Sequence, residues 1–180
     1  MHERHTGFTL VEAVACLAIG SVLFALAIPL CGSALARVDA SAARAALLAS
    51  LTDAIRHSAL TGTEVVLCPG DRGGCRNSFD WSDGWIAYAD IDGDRKRGAG
   101  ETLLRAQDPL PSRVRLLTST GRRRLVFQPG GGNAGSNATF LLCDARGPEE
   151  AVTLVLANTG RLRAARASPR RARQCRLAMR

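Results

Sequence analysis

From Ala13 to Leu35 the chain runs twenty-three residues without a charge. A helix needs ~20 such residues to cross a bilayer. One carboxylate, Glu12, stands at the mouth of this run, after Arg4-His5-Thr6-Gly7-Phe8-Thr9-Leu10-Val11. A carboxylate in or beside lipid is costly and needs a cationic partner. The apolar run therefore constrains the fold, and its acid constrains what the helix must meet. Arg4, flanked by His2 and His5, is the nearby basic group. The positive-inside rule then leaves the N-terminus cytoplasmic and exports the residues after 36.

A cleaved secretory signal is the simpler alternative, with Ser33-Ala34-Leu35-Ala36 as its A-x-A-like site. Glu12 is poorly placed for such a signal, and the apolar part is longer than a usual h-region. Pro29, inside the run, would kink or end a helix. Gly7-Phe8-Thr9-Leu10-Val11-Glu12 resembles the class III signal of type IV pilins and type II secretion pseudopilins. That resemblance implies cleavage by prepilin peptidase after Gly7 and N-methylation of the new terminus, Phe8. It also implies that Glu12 pairs with the N-terminal amine of a neighbouring subunit during filament assembly. Pro29 falls where family members bend or melt the helix.

Once that leader is removed, His57 is the one remaining histidine and Lys96 the one lysine. Such a chain is poorly equipped for general acid–base or nucleophilic work, so no enzyme and no catalytic residue is expected. Charge is unevenly spread. Residues 1–160 hold sixteen Lys/Arg and sixteen Asp/Glu, whereas residues 161–180 hold eight arginines and no acid. The formal net charge of +8 thus belongs to the C-terminal end, which points to an acidic partner there.

The six cysteines fall into two classes. Cys16 and Cys31 lie in the apolar run and read as small hydrophobes. Cys68, Cys75, Cys143 and Cys175 lie in the exported part, where pairing is expected, and allow three connectivities. Proximity favours Cys68–Cys75 across Pro69-Gly70-Asp71-Arg72-Gly73-Gly74, leaving Cys143–Cys175 to staple the basic end. Zinc is the rival, but neither pair has C-x-x-C spacing.

From Arg37 to about Leu60, Val38, Ala45, Leu48, Leu51, Ile55 and Ala59 recur at helical spacing, with Arg44, Asp53 and Arg56 between them. The apolar run and this amphipathic segment read as one long helix ended by Thr61-Gly62. Short β-branched or aromatic runs follow at 64–68, 84–89, 102–106, 114–118, 125–127, 139–143, 152–157 and 161–164. The predicted architecture is α+β, a long N-terminal helix packed on antiparallel sheet, as in type IV pilins. Its expected segments are a leader (1–7), a transmembrane helix half (8–35) and an amphipathic half (36–61). An exported β-rich domain (62–165) and a basic tail stapled by Cys175 (166–180) complete the chain.

Asp90, Asp92, Asp94 and Glu101 occupy positions 1, 3, 5 and 12 of a calcium-loop pattern. Arg95 replaces the glycine required at position 6, Lys96 and Arg97 add positive charge, and the flanks read as strands. A solvated hairpin turn is therefore expected, with no metal and no cofactor. This stretch, with Asp83-Gly84-Trp85 and Gly100-Glu101, resembles the corresponding hairpin of the GspH/FimT branch of minor pilins. Gly130-Gly131-Gly132-Asn133-Ala134-Gly135 lacks the Gly-Lys-Ser/Thr ending of a phosphate loop and reads as a loop. Arg122-Arg123-Arg124 reads either as a solvated charge run or as a secondary polyanion contact.

Gly160-Arg161-Leu162-Arg163 is the sharpest site candidate. On a strand, Arg161 and Arg163 would share a face about 6.6–6.8 Å apart, close to the spacing of successive phosphates along an extended nucleic-acid strand. Gly160 permits a sharp turn before them. The segment resembles the C-terminal Gly-Arg-x-Arg motif of FimT-type minor pilins, implicated in DNA uptake during natural transformation. Residues 164–174 read as a basic extension that adds Arg166, Arg170, Arg171 and Arg173 to the DNA-binding set. The implied partners are DNA, major and minor pilins, prepilin peptidase and the inner membrane. A GspH-like pseudopilin with a structural role in type II secretion is the alternative.

Overall fold

The computed structural model describes residues 9–130, 132–135 and 137–179. The leader and the expected processing residues Gly7 and Phe8 lie outside the described residues, as does Gly131 of the glycine-rich stretch. The chain divides into two compact units, Met1–Leu35 and Ala36–Arg180.

Helix α1 spans Leu10–Thr61 without a break, so its backbone remains helical through Pro29. It opens on a capping box. The Thr9 backbone N–H and hydroxyl both donate to Glu12 Oε2, at 3.0 and 2.9 Å, while the Glu12 N–H donates back to Thr9 Oγ1 at 3.3 Å. Among the described side chains of the first unit, the large apolar ones, such as Leu17, Val22, Phe24 and Ile28, are exposed, as expected of a helix whose natural surroundings are apolar. This stretch is long and apolar enough to cross a membrane.

In the second unit, α1 buries Ala36, Ala40, Ala43, Leu47, Leu51, Ala54 and Ser58. That stripe differs from the expected one. Leu51 is common to both, Leu48 and Ile55 are half-buried, and Val38 is 62% exposed. The reason is steric. Trp81, Trp85, Phe127 and Phe140 fill the space beneath the helix, and a face of alanines and serines admits them where a face of larger side chains would not. Polar atoms in this packing are paired. Trp85 Nε1–H donates to Ser50 Oγ at 2.9 Å, Ser50 donates to the Ala46 carbonyl, and Ser58 donates to the Phe127 carbonyl.

Two antiparallel sheets make up the rest. The first contains β1 (Glu64–Asp71), β2 (Gly74–Cys75), β3 (Trp85–Asp90), β4 (Leu103–Gln107), β6 (Leu125–Gln128) and β7 (Gly132–Asn133). Its order is β4-β3-β1-β6-β7, with β2 attached to β1. The second contains β5 (Val114–Thr118), β8 (Ala138–Asp144), β9 (Val152–Leu156) and β10 (Leu162–Arg166), in the order β10-β9-β8-β5. The main core lies between α1 and the inner faces of both sheets. The Cys68–Cys75 bridge closes the β1–β2 turn, and Cys143–Cys175 joins β8 to the C-terminal region.

That C-terminal region is not an irregular tail. Residues Pro169–Ala178 form helix α2, with Ser168 as N-cap and Pro169 in its first turn. Proline suits this position because its missing N–H is not needed there.

Candidate nucleic-acid interface

Strand β8 alternates cleanly. Phe140 and Leu142 face the main core, while Leu141 and Cys143 face outward into a separate small core with Ala151 and Cys175. Ala167, Leu117 and Met179 pack around that cluster, so α2 lies on the outer face of the second sheet. The disulfide fixes it there.

The register carries this outer face to the edge strand. Thr139 pairs with Val155, and Val155 pairs with Arg163. Leu162, the neighbour of Arg163, packs against the main core. Arg163 must therefore point outward, on the side that bears α2. Strand β10 begins at Leu162 rather than at Arg161, but the Ala157 N–H donates to the Arg161 carbonyl at 2.9 Å. The hairpin ladder thus continues through Arg161, two residues before Arg163 and on the same face.

The turn that presents this pair is tied down on both sides. Gly160 has φ 79°, a conformation that disfavours side chains, and its N–H donates to the Ala157 carbonyl. The Asn158 N–H donates to Asn137 Oδ1 at 3.1 Å, and the Asn158 carbonyl accepts from the Asn133 N–H at 2.8 Å.

Arg161, Arg163, Arg170 and Arg173 are exposed and Arg171 is half-buried. Among the described residues, none of these five guanidinium groups makes a hydrogen bond or ion pair with the protein. Arg170 and Arg171 also line a groove of about 880 Å³ between α2 and the sheet, walled by Phe79, Leu117, Leu141 and Leu177. The surface therefore offers unpaired forked donors on one side of one sheet, suited to a polyanion.

Arg166, expected with this set as part of a basic extension, is placed apart from it: it belongs to β10, three residues after Arg163. Strand alternation sets it on the opposite face, with Leu162 and Ala164. Conversely, two arginines of the outer face were missed. Arg176 is in the last turn of α2, and Arg115 pairs in register with Cys143. Ser168-Pro169 was the available signal for α2, and the inward Val114 and Leu116 were the signal for Arg115.

The other basic run is largely structural. Arg122 Nη1 donates to the Ala134 carbonyl at 2.9 Å, and Arg124 Nη1 donates to the Arg95 carbonyl at 3.1 Å. The acidic stretch after Asp90 connects the antiparallel strands β3 and β4, as a hairpin should. Burial raises the Asp90 carboxyl above its ordinary value. The Arg95 N–H opposes that shift, and the charges of Glu101 and Asp92 reinforce it. The Tyr88 phenol is raised chiefly by burial, with Asp90 and Glu101 adding to it. His57 is half-buried on α1, where its carbonyl accepts from Thr61.

A helix with an apolar N-terminal half and an alanine-lined C-terminal half laid on antiparallel sheets is the build of a type IV pilin-like subunit. Residues 43–160 match the family described as type II transport protein GspH, and residues 4–28 match the prokaryotic N-terminal methylation motif. The chain belongs to the GspH family of minor pilins and pseudopilins, which are not enzymes. The fold is similar to that of the type IV minor pilin FimU of Pseudomonas aeruginosa PAO1 in two crystal forms. In the P21 form the TM-score is 0.56 at 16% identity, covering 74% of this chain and 90% of FimU. In the P65 form it is 0.53 at 16% identity, covering 72% and 91%. The minor pseudopilin EpsH of the Vibrio cholerae type 2 secretion system is also similar, with a TM-score of 0.49 at 12% identity over 73% of this chain and 96% of EpsH. No curated protein sequence matches the chain.

Proposed function

We propose that this chain is a minor pilin that binds DNA non-specifically for uptake in natural transformation. The observation that carries the reading is the outer face of the second sheet. There Arg161 and Arg163 share one side with the disulfide-held helix bearing Arg170, Arg171 and Arg173, and among the described residues no acid pairs with any of the five. Phosphate contacts from such a surface position a nucleic acid without reading its sequence. The subunit sits in the inner membrane by its apolar helix with its C-terminal domain in the periplasm. Prepilin peptidase cuts it after Gly7, Phe8 is methylated, and Glu12 docks it among major and minor pilins. The arginine surface then travels with the pilus.

The test is a gel-shift titration of the 36–180 unit, which holds the whole described core, at two salt concentrations. Wild type is compared with Arg161→Gln/Arg163→Gln. Each lost phosphate contact flattens the salt slope by about 0.9 on duplex DNA, so the pair should remove about 1.8. Absence of wild-type binding at low salt overturns the reading and leaves a structural pseudopilin of type II secretion, to which the family description also points.

A further inference from the structure

The acidic β3–β4 loop carries the pattern of a cation site and three apparent objections to one. Its flanks are strands, as expected; the other two objections are answered by its conformation. Arg95 stands where a glycine is required, yet it adopts φ 60°, the left-handed conformation that glycine would supply. Among the described residues it is the one non-glycine with positive φ. The nearby positive charges also leave the acids unpaired. Arg97 Nη1 donates to the Arg72 carbonyl at 2.6 Å. Among the described residues, neither Arg95, Lys96 nor Arg97 forms an ion pair with Asp90, Asp92, Asp94 or Glu101. Four carboxylates thus stand beside three cations, and no pair forms.

What points to a ligand is Asp90. It is 3% exposed, its Oδ1 accepts from the Arg95 N–H at 3.3 Å, and its buried Oδ2 has no hydrogen-bond partner among the described residues. A buried carboxylate oxygen without a partner is costly, and each such orphan in a folded protein needs an explanation. Asp90 offers an oxygen within 4.8 Å of oxygens from both Asp92 and Asp94. Ligands on opposite sides of a calcium ion stand about 4.6–5.2 Å apart, so one ion can touch all three.

We propose that Asp90, Asp92 and Asp94 form a calcium site. The donors are all hard carboxylate oxygens, which excludes the nitrogen and sulfur sites that zinc favours. Asp92 and Asp94 are exposed, which leaves room for water to complete the six to eight ligands that calcium accepts. Magnesium, which demands a near-ideal octahedron, suits such an open loop less well. Glu101 acts as a clip. Its two oxygens accept from the Ile91 N–H at 3.0 Å and the Gly98 N–H at 2.8 Å, drawing the two ends of the loop together. Three carboxylates in a basic neighbourhood place the affinity in the weak class, with Kd about 10⁻⁴–10⁻³ M.

The experiment is equilibrium dialysis of the full chain in detergent, stripped with chelator, against radioactive calcium chloride. A parallel series uses magnesium chloride as competitor. Wild type should bind one calcium saturably, and magnesium should compete poorly. Asp92→Asn/Asp94→Asn should lose that site. Its urea midpoint without calcium should match wild type, because both positions are exposed and asparagine keeps an acceptor oxygen. Arg95→Gly should tighten binding several-fold by removing a like charge and relieving the left-handed conformation. No saturable site in the wild type up to about 10 mM, ten times the weakest affinity of the class, overturns the proposal. Equal calcium binding by the double variant also overturns it, and equal affinity for magnesium overturns the assignment to calcium.

Discussion

Cys143, in β8, is bonded to Cys175, in α2, and this link holds the four arginines of α2, Arg170, Arg171, Arg173 and Arg176, on the outer face of the second sheet. Around it the small cluster of Leu141, Ala151, Ala167 and Met179 supplies modest apolar packing. The helix itself is ten residues long and has no acid in its first turn to favour its N-terminus. Such a helix is marginal alone, so its placement depends on the bridge.

Replacing both cysteines with alanine should therefore separate stability from surface organisation. The bridge closes 32 residues, for which the chain-entropy relation gives about 3–4 kcal/mol, against about 2–3 kcal/mol for the seven-residue Cys68–Cys75 loop. Urea denaturation of the 36–180 unit should show losses in that order. DNA affinity should fall in Cys143→Ala/Cys175→Ala and stay near wild type in Cys68→Ala/Cys75→Ala. Equal DNA binding by all three proteins would show that α2 need not be held for binding.

The helix–sheet packing makes a second prediction. Ser50 accepts from Trp85 Nε1–H and lies fully buried, so Ser50→Ala leaves that donor without a partner. The cost should be about 1–3 kcal/mol in the same denaturation assay. Leu47→Ala, a fully buried large-to-small change on the same face, should cost about 2–5 kcal/mol. Val38→Ala, on the exposed side, should be within about 0.5 kcal/mol of wild type.

These two faces of α1 show where the sequence was legible and where it was not. Helical spacing identified the element, but alanines and serines recur all around residues 36–61, so periodicity alone could not choose the side. The tryptophans choose it, and they lie beyond the helix, 23 residues or more from any buried residue of that face. The longer strands were clear because β-branched runs alternate with Gly, Pro, Asn and Asp, whereas the two-residue strands β2 and β7, made of Gly, Cys and Asn, carry no such run, and Gly132–Asn133 had read as loop. Arg163 was legible as an outward residue because Leu162 is apolar and adjacent. Arg166 was misplaced because a basic run does not announce where a strand ends and a helix begins. Arg95 was read by residue type, whereas its backbone conformation is imposed by the loop around it.

Glu12 supports a third prediction, about assembly. In the single chain its carboxylate is engaged by the Thr9 N–H and hydroxyl. Glu12→Gln keeps an acceptor for that cap and removes the charge that a neighbouring subunit's amine would meet. The variant should insert in the membrane and be processed normally, yet appear in sheared filaments at a small fraction of the wild-type level on immunoblots. Normal incorporation would remove Glu12 from the assembly contact.

The outer-face assignment yields the sharpest discrimination. Arg163 and Arg166 are both exposed arginines of one strand, with the same formal charge and similar exposure class, yet alternation sets them on opposite sides of the sheet. Non-specific attraction to a basic C-terminus would treat them alike. A surface formed by Arg161, Arg163 and α2 would not. Arg163→Gln should flatten the salt dependence of duplex binding by about 0.9, while Arg166→Gln should leave the slope unchanged within error. Arg170→Gln/Arg173→Gln, on exposed positions of α2, should flatten it by up to about 1.8. Fluorescence anisotropy of labelled duplex across a salt series reads all three. Matching losses for Arg163→Gln and Arg166→Gln would mean that charge at this end, and not its placement by β10, governs binding.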